Sequence, residues 1–219
     1  MENSEKVRYR NGKNWENVNR VRFYGFGAYE IPRLAPIREV PVSKWIGFNE
    51  ALSFPKEKRK ETGVHFWLDD YQFQRVWTHP SRYLTLLSQY GAVCQPEFSL
   101  YEDFPRAIRI YNAYRNGWLG CFWQDHGLTV IPSIVFSLRD QDEFCWDSYP
   151  VDSVVAISSV GNMRSREDRA WFLRGFSEME TRLMPRKILF YGEIPEEIRD
   201  AVEPIECFAS SMRRRMKGG

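Results

Sequence analysis

Histidine is scarce in this chain. Only His65, His79 and His126 occur among 219 residues. No two of them share helical ligand spacing, so a zinc site of the His-x-x-x-His kind is excluded, and no His-Ser-Asp order can be built. The four cysteines, Cys94, Cys121, Cys145 and Cys207, are widely spaced and form no Cys-x-x-Cys pair. Zinc-ribbon, iron–sulfur, c-type haem and thioredoxin-like chemistry therefore have no anchor. Three of these cysteines lie in or beside apolar segments, where cysteine behaves as a small core residue, and a reducing, cytoplasmic setting is expected. No apolar run is long enough to span a membrane, and the polar start Met1-Glu2-Asn3-Ser4-Glu5-Lys6 lacks the apolar core of a signal peptide. There is no Gly-x-Ser-x-Gly elbow and no Walker A loop. Charge of one sign is lacking too, since the formal net charge is only +2.

What the chain does have is apolar and aromatic material, at 43% and 16% of its residues. That suits one sizeable domain and argues against disorder. Residues 1–20 are polar and read as a mobile arm. Residues 21–209 read as a single α/β domain, and 210–219 as a basic tail around Arg213-Arg214-Arg215.

The stretch Gly63-Val64-His65-Phe66-Trp67-Leu68-Asp69-Asp70 sets the pattern for the rest. An apolar run ends in two carboxylates, and a helix pattern starts near Tyr71. Strong strand candidates start near residues 64, 92, 128, 154 and 187, and weaker ones near 22, 45 and 205. Helix patterns separate them. Pro80 reads as the first residue of one helix. Asp103 and Pro105 read as the start of a second, which Gly127 ends. Ser165 reads as the cap of a third, carrying Trp171, Phe172, Phe176, Met179 and Leu183. Continuous apolar strands alternating with helices mean a parallel sheet covered on both faces. Eight strands predict a small or irregular (β/α)8-like barrel. Without the weaker ones an open doubly wound parallel sheet remains.

Either architecture puts a site at the C-terminal strand ends. Those ends supply Asp69, Asp70, Glu97, Ser99, Ser133, Ser158, Ser159, Tyr191 and Glu193. Asp69, Asp70 and Glu97 are the candidate catalytic residues. Adjacent carboxylates on extended chain diverge, so one can enter a site while the other caps the helix, or both can be caps. Convergence of Asp70 with Glu97 would suit Mg²⁺ or Mn²⁺, or an acid/base pair with pKa values pushed apart. His65, in mid-strand, reads as a hydrogen-bonded core residue. Ser158-Ser159-Val160-Gly161 enters the helix near Ser165. It reads either as a phosphate-binding loop, assisted by Arg164 and Arg166, or as a plain turn. In the helix around Tyr111-Asn112-Ala113-Tyr114-Arg115 the period puts the aromatics inward and the polar residues outward. Arg115, Trp123 and Gln124 are then left as ligand-binding candidates that could stack on or hydrogen-bond a base. The charge run Pro55 to Glu61 reads as a solvated segment, and Arg139 to Asp147 as a polar loop.

The strings His65-Phe66-Trp67-Leu68-Asp69-Asp70-Tyr71-Gln72-Phe73 and Gln95-Pro96-Glu97-Phe98-Ser99 are followed by Tyr114-Arg115-Asn116, Trp123-Gln124, Ile131-Pro132-Ser133 and Phe190-Tyr191-Gly192. In that order, over about residues 45–192, they resemble an uncharacterised family of bacterial, mobile-element and phage proteins. The family is recognised by a phenylalanine-rich strand ending in Asp-Asp-Tyr and by Pro-Asp-Phe-Ser. This chain departs from it at Glu97, where the family has Asp, and at Gln74, where Glu is common. The resemblance implies a phage or mobile-element origin and supplies no activity. Three readings follow from the residues and this origin: an enzyme acting on a phosphorylated or nucleotide-like ligand, a non-catalytic nucleic-acid-binding accessory protein, and a factor that binds a host protein. None of them involves a membrane.

Overall fold

The computed structural model describes residue 17 and residues 21–207. The expected arm and basic tail lie outside the described residues, apart from Asn17, whose amide donates to the Trp77 carbonyl.

The first elements are β1 (Gly25–Phe26) and β2 (Ile31–Pro32), which pair antiparallel as a separate ribbon. The strand expected near residue 22 therefore joins neither parallel sheet. Its glycines make a tight turn instead. A Cβ on Gly25 would sit 2.1 Å from the Glu30 carbonyl oxygen, and Gly27 has φ +66.

Then come β3 (Lys44–Gly47), a 3-10 turn at Lys56–Glu61 and β4 (Thr62–His65). α1 (Asp70–Thr78) and α2 (Pro80–Leu87) follow, with Pro80 opening α2 as expected. Next are β5 (Ala92–Cys94), α3 (Arg106–Asp125), β6 (Val130–Ile131) and β7 (Ser133–Ile134). The chain continues with β8 (Val154–Ser158), α4 (Arg166–Leu183) and β9 (Lys187–Tyr191), then β10 (Glu203–Pro204) and β11 (Glu206–Cys207). Ser165 caps α4 through a bond from the Asp168 N–H, as its sequence predicts.

The protein is thus mixed α/β, with two all-parallel sheets. One has the order β11-β3-β4-β5-β6 and the other β10-β9-β8-β7. Two segments belong to both. Only Pro132 separates β6 from β7, and its carbonyl accepts the Ala156 N–H at 2.8 Å. Only Ile205 separates β10 from β11, and its N–H donates to the Phe190 carbonyl at 2.9 Å.

Strand alternation divides the core in three. Ile46, Val64, Phe66 and Val93 face α1, α2 and α3, whose Val76, Leu87, Trp118 and Phe122 cover them. Val155, Ile157, Ile188 and Phe190 face α4, through Phe172, Phe176 and Met179. The intervening residues Trp45, Ala92, Cys94 and Ile131 of one sheet meet Val154, Ala156 and Leu189 of the other. Residues buried on both faces explain why these strands read as unbroken apolar runs.

Three local expectations are corrected. The charged run at 55–61 is not wholly solvated. Arg59 is buried, donating to the Phe54 and Leu52 carbonyls and to Gln89. The segment 139–147 is no polar loop either. Asp140 pairs with Arg109 in the interior, and Phe144, Cys145 and Trp146 join the core. In α3 Trp118 is buried as expected, but Asn112, Arg115 and Asn116 are buried too, while Ile108 and Tyr111 are exposed against the expected facing. The reason is the loop they hold, described next.

Candidate functional site

In β4 and its extension, Val64 and Phe66 go to the helices, so His65 and Trp67 point between the sheets. They meet Tyr191 at the end of β9. The His65 and Trp67 ring centroids lie 4.7 Å apart at 22°, and those of Trp67 and Tyr191 lie 4.9 Å apart at 14°. His65 and Tyr191 are 5.1 Å apart, which closes the trio. Burial pushes the His65 pKa down to about 3, so the ring is neutral at neutral pH. Its Nδ1 accepts the Trp67 backbone N–H at 3.3 Å, which puts the single ring proton on Nε2.

The Trp67 indole N–H reaches the end of the neighbouring strand. It donates to Glu97 Oε1 at 2.8 Å and lies 3.2 Å from the Ser133 hydroxyl. Ser133 in turn donates to the same Glu97 oxygen. Burial pushes the Glu97 carboxyl up to about 7. The hydrogen bonds from Ser133 and Trp67 pull the other way without offsetting it, and the nearby Asp70 charge adds a further upward push. Glu97 keeps partial exposure, and its Oε2 meets no partner among the described residues. A half-protonated carboxyl with one free oxygen can give or take a proton at neutral pH.

The loop that carries Glu97 is fixed from both sides. Asp70 Oδ1 accepts the Ser99 hydroxyl at 2.8 Å and Oδ2 accepts the Ser99 N–H at 3.1 Å. Asn112 donates to the Ser99 carbonyl at 2.6 Å. Asn116 brackets Phe98, accepting its N–H at 2.8 Å and donating to its carbonyl at 3.1 Å. Arg115 lies 3.6 Å from the centre of the Phe98 ring and bonds Gln74 and Asn112. Buried polar groups need partners, and a loop carrying unpaired amides and carbonyls supplies them. This is why α3 turns its polar residues inward.

Beside the trio, a cleft of about 120 Å³ is bordered by Asn49 and Glu50 as well as by the three rings.

A family described as Domain of unknown function (DUF4417) matches residues 23–208. The chain belongs to DUF4417. The resemblance carried by Asp-Asp-Tyr and Pro-Glu-Phe-Ser therefore holds, over a longer span than those strings cover. Among relatives, "Gene 1 protein" of Mycobacterium phage D29 is 38% identical over 179 residues, 80% of this chain and 64% of that protein. "Gene 1 protein" of Mycobacterium phage L5 is 37% identical over 179 residues, 80% of this chain and 76% of that protein. The chain thus spans less than two thirds of the D29 protein's length. No solved structure matches it.

Several of the strings quoted above meet at these strand ends. Glu97, Ser133 and Tyr191 converge, joined by His65 and Trp67, while Asp70, Ser99 and Arg115 stand behind Glu97 as the loop's clamp. Asp69 is exposed and occupies the cap position of α1 without making a side-chain cap bond. Trp123 is fully buried and stacked on Phe66, away from the trio. Gln124 pairs with the backbone N–H and carbonyl of Ala35. Ser158 accepts the Val160 N–H, Ser159 donates its N–H to the Tyr191 carbonyl, Gly161 takes φ +85, and Glu193 is exposed. The start of α4 is already capped by Ser165 and carries Glu167 and Asp168 in its first turn, which oppose an anion there.

Among the described residues, no group of three or more His, Cys, Asp or Glu side chains is placed to hold a metal ion. None of their helices is long and apolar enough to cross a membrane. Sequence reasoning missed Trp67, Asn49, Asn112 and Asn116. Trp67 had one usable signal, since it sits two residues beyond His65 and two before Asp69 on the same strand face.

Proposed function

We propose that this chain is a small-molecule enzyme whose site lies at the C-terminal ends of its parallel strands, with Glu97 exchanging a proton with a nucleotide-like ligand. The observation that carries this is the Glu97 carboxyl, raised to about 7 and held by Trp67 and Ser133 with one oxygen free. Proton transfer is most efficient when the group's pKa lies near the working pH. In this reading Asp70 positions the Glu97 loop through its bonds to Ser99.

The reading includes an architecture. If β6–β7 and β10–β11 each count as one strand, then β3, β4, β5, β6–β7, β8, β9 and β10–β11 form a single ring of seven parallel strands. Such a barrel-like ring opens at its C-terminal strand ends, where βα-barrels place their chemistry. The phage relatives support a role for the chain inside a phage-infected cell.

For the nucleic-acid reading, Arg59 of the charged run is buried, while Lys56, Lys58 and Lys60 stay exposed. The test is a thermal shift against nucleoside mono-, di- and triphosphates at pH 6, 7 and 8. A ligand at 100 times its Kd adds about 2.7 kcal/mol, and each kcal/mol moves Tm by about 2–4 °C in a domain this size. A shift that varies with pH in the wild type and is flat in Glu97→Gln supports the proposal. No shift with any nucleotide contradicts it and favours a macromolecular partner.

A further inference from the structure

We propose that the cleft beside the aromatic trio binds a neutral, amino-bearing heteroaromatic ring of the nucleobase type, read by His65 and Asn49. This rests on the strand-end reading above and adds to it where the ring of the ligand sits. The first observation is an unanswered donor. His65 is only 4% exposed, and its Nδ1 is taken by the Trp67 N–H. The remaining Nε2–H donates to no acceptor among the described residues, and the ring borders the cleft. A ring nitrogen or carbonyl on a ligand in the cleft could accept from it.

The second observation is the shape and charge of the cleft. Trp67 and Tyr191, stacked on each other, border the cleft with apolar ring surface against which a base can pack. Asn49 brings an exposed amide to the rim, and Glu50 brings a carboxylate that accepts from an exocyclic amino group. Among the described residues Glu50 is the only charged side chain bordering the cleft, and no lysine or arginine does. A phosphate is therefore disfavoured inside, and the ring enters with any phosphate pointing away. At about 120 Å³ the cleft falls below the 300–1,000 Å³ of typical ligand pockets. It has room for a ring system and not for a whole nucleotide.

The test is calorimetric titration of the full chain with adenosine, cytidine and uridine. The expected result is binding of adenosine or cytidine, with uridine at least about tenfold weaker because its ring lacks the amino group. His65→Phe keeps the stack and removes the donor, and should weaken binding about tenfold or more. Asn49→Ala, at an exposed position that leaves the core intact, should weaken it as well. Equal binding of uridine and cytidine, unchanged affinity in both His65→Phe and Asn49→Ala, or no nucleoside binding at all overturns the proposal. The titration of Glu97, read separately by carboxyl NMR, decides the proton-exchange reading independently of these results.

Discussion

Asp70 gives both of its carboxylate oxygens to Ser99, one to the hydroxyl at 2.8 Å and the other to the backbone N–H at 3.1 Å. The second carboxylate of the Asp-Asp pair is thus committed to the loop that holds Glu97. It also lies at the first residue of α1, where a negative charge is favoured by the helix dipole.

Asp70→Ala should therefore cost roughly 2 kcal/mol in urea unfolding, since it removes two bonds to a charged acceptor. Asn112→Ala, which releases the Ser99 carbonyl without changing charge, should cost about 1 kcal/mol. The double variant should cost less than the sum, because both act on one loop. Strict additivity would mean that the loop is not a shared unit.

Arg109 and Asp140 form the interior ion pair, through bonds of 2.5 and 3.0 Å. Burial alone would push the Asp140 carboxyl up. The Arg109 hydrogen bonds and charge outweigh that and leave it below the usual carboxylate range. Asp140→Ala strands a buried guanidinium and should destabilise by about 3–5 kcal/mol in equilibrium unfolding. Replacing both residues by apolar side chains should recover much of the loss. If Asp140→Ala costs under about 1 kcal/mol, the pair is not the anchor its burial implies.

Burial moves Glu97 and His65 in opposite directions. Glu97 titrates at about 7 in the folded chain against an ordinary 4.5, so the native state holds its proton more tightly. Its contribution to stability is whole below about 4.5 and is lost as pH rises to about 7. His65 titrates at about 3 against 6.5, so the unfolded chain holds the proton more tightly. Its contribution is whole above about 6.5 and is lost as pH falls toward 3. Between 4.5 and 6.5 the two slopes oppose. Glu97→Gln should leave the His65 slope exposed, with stability rising more steeply with pH than in the wild type. From pH 4.5 to pH 8 the variant should gain on the wild type by on the order of 3 kcal/mol. A constant difference across that range in urea unfolding contradicts the assignment.

Much of the fold is legible in the sequence where burial imposes a pattern. Val154 to Ile157 and Ile188 to Phe190 read as buried strands because both of their faces are covered, and Pro80 marks a helix start because its ring fixes φ. The β1–β2 ribbon was hidden, since aromatic and glycine residues suit a strand and a tight turn equally. The site was half legible. Glu97, Ser133 and Tyr191 stand at strand ends, where parallel sheets open. Trp67 was hidden because an indole in an apolar run reads as core, although its N–H is the group that reaches Glu97. The inward facing of Asn112 and Asn116, and the role of Arg115 beside them, are not legible because helical period carries no information about the loop they satisfy. The Arg109–Asp140 pair spans distant positions that no local pattern links.

The most direct test of the account is the pKa of Glu97 itself, followed by the ¹³C shift of its carboxyl carbon through a pH titration of the intact chain. The account predicts a midpoint near 7, with the resonance identified by its loss in Glu97→Gln. A midpoint near the ordinary 4.5 would show a solvated carboxylate with no proton to exchange at neutral pH, and would contradict the proposed chemistry at the strand ends.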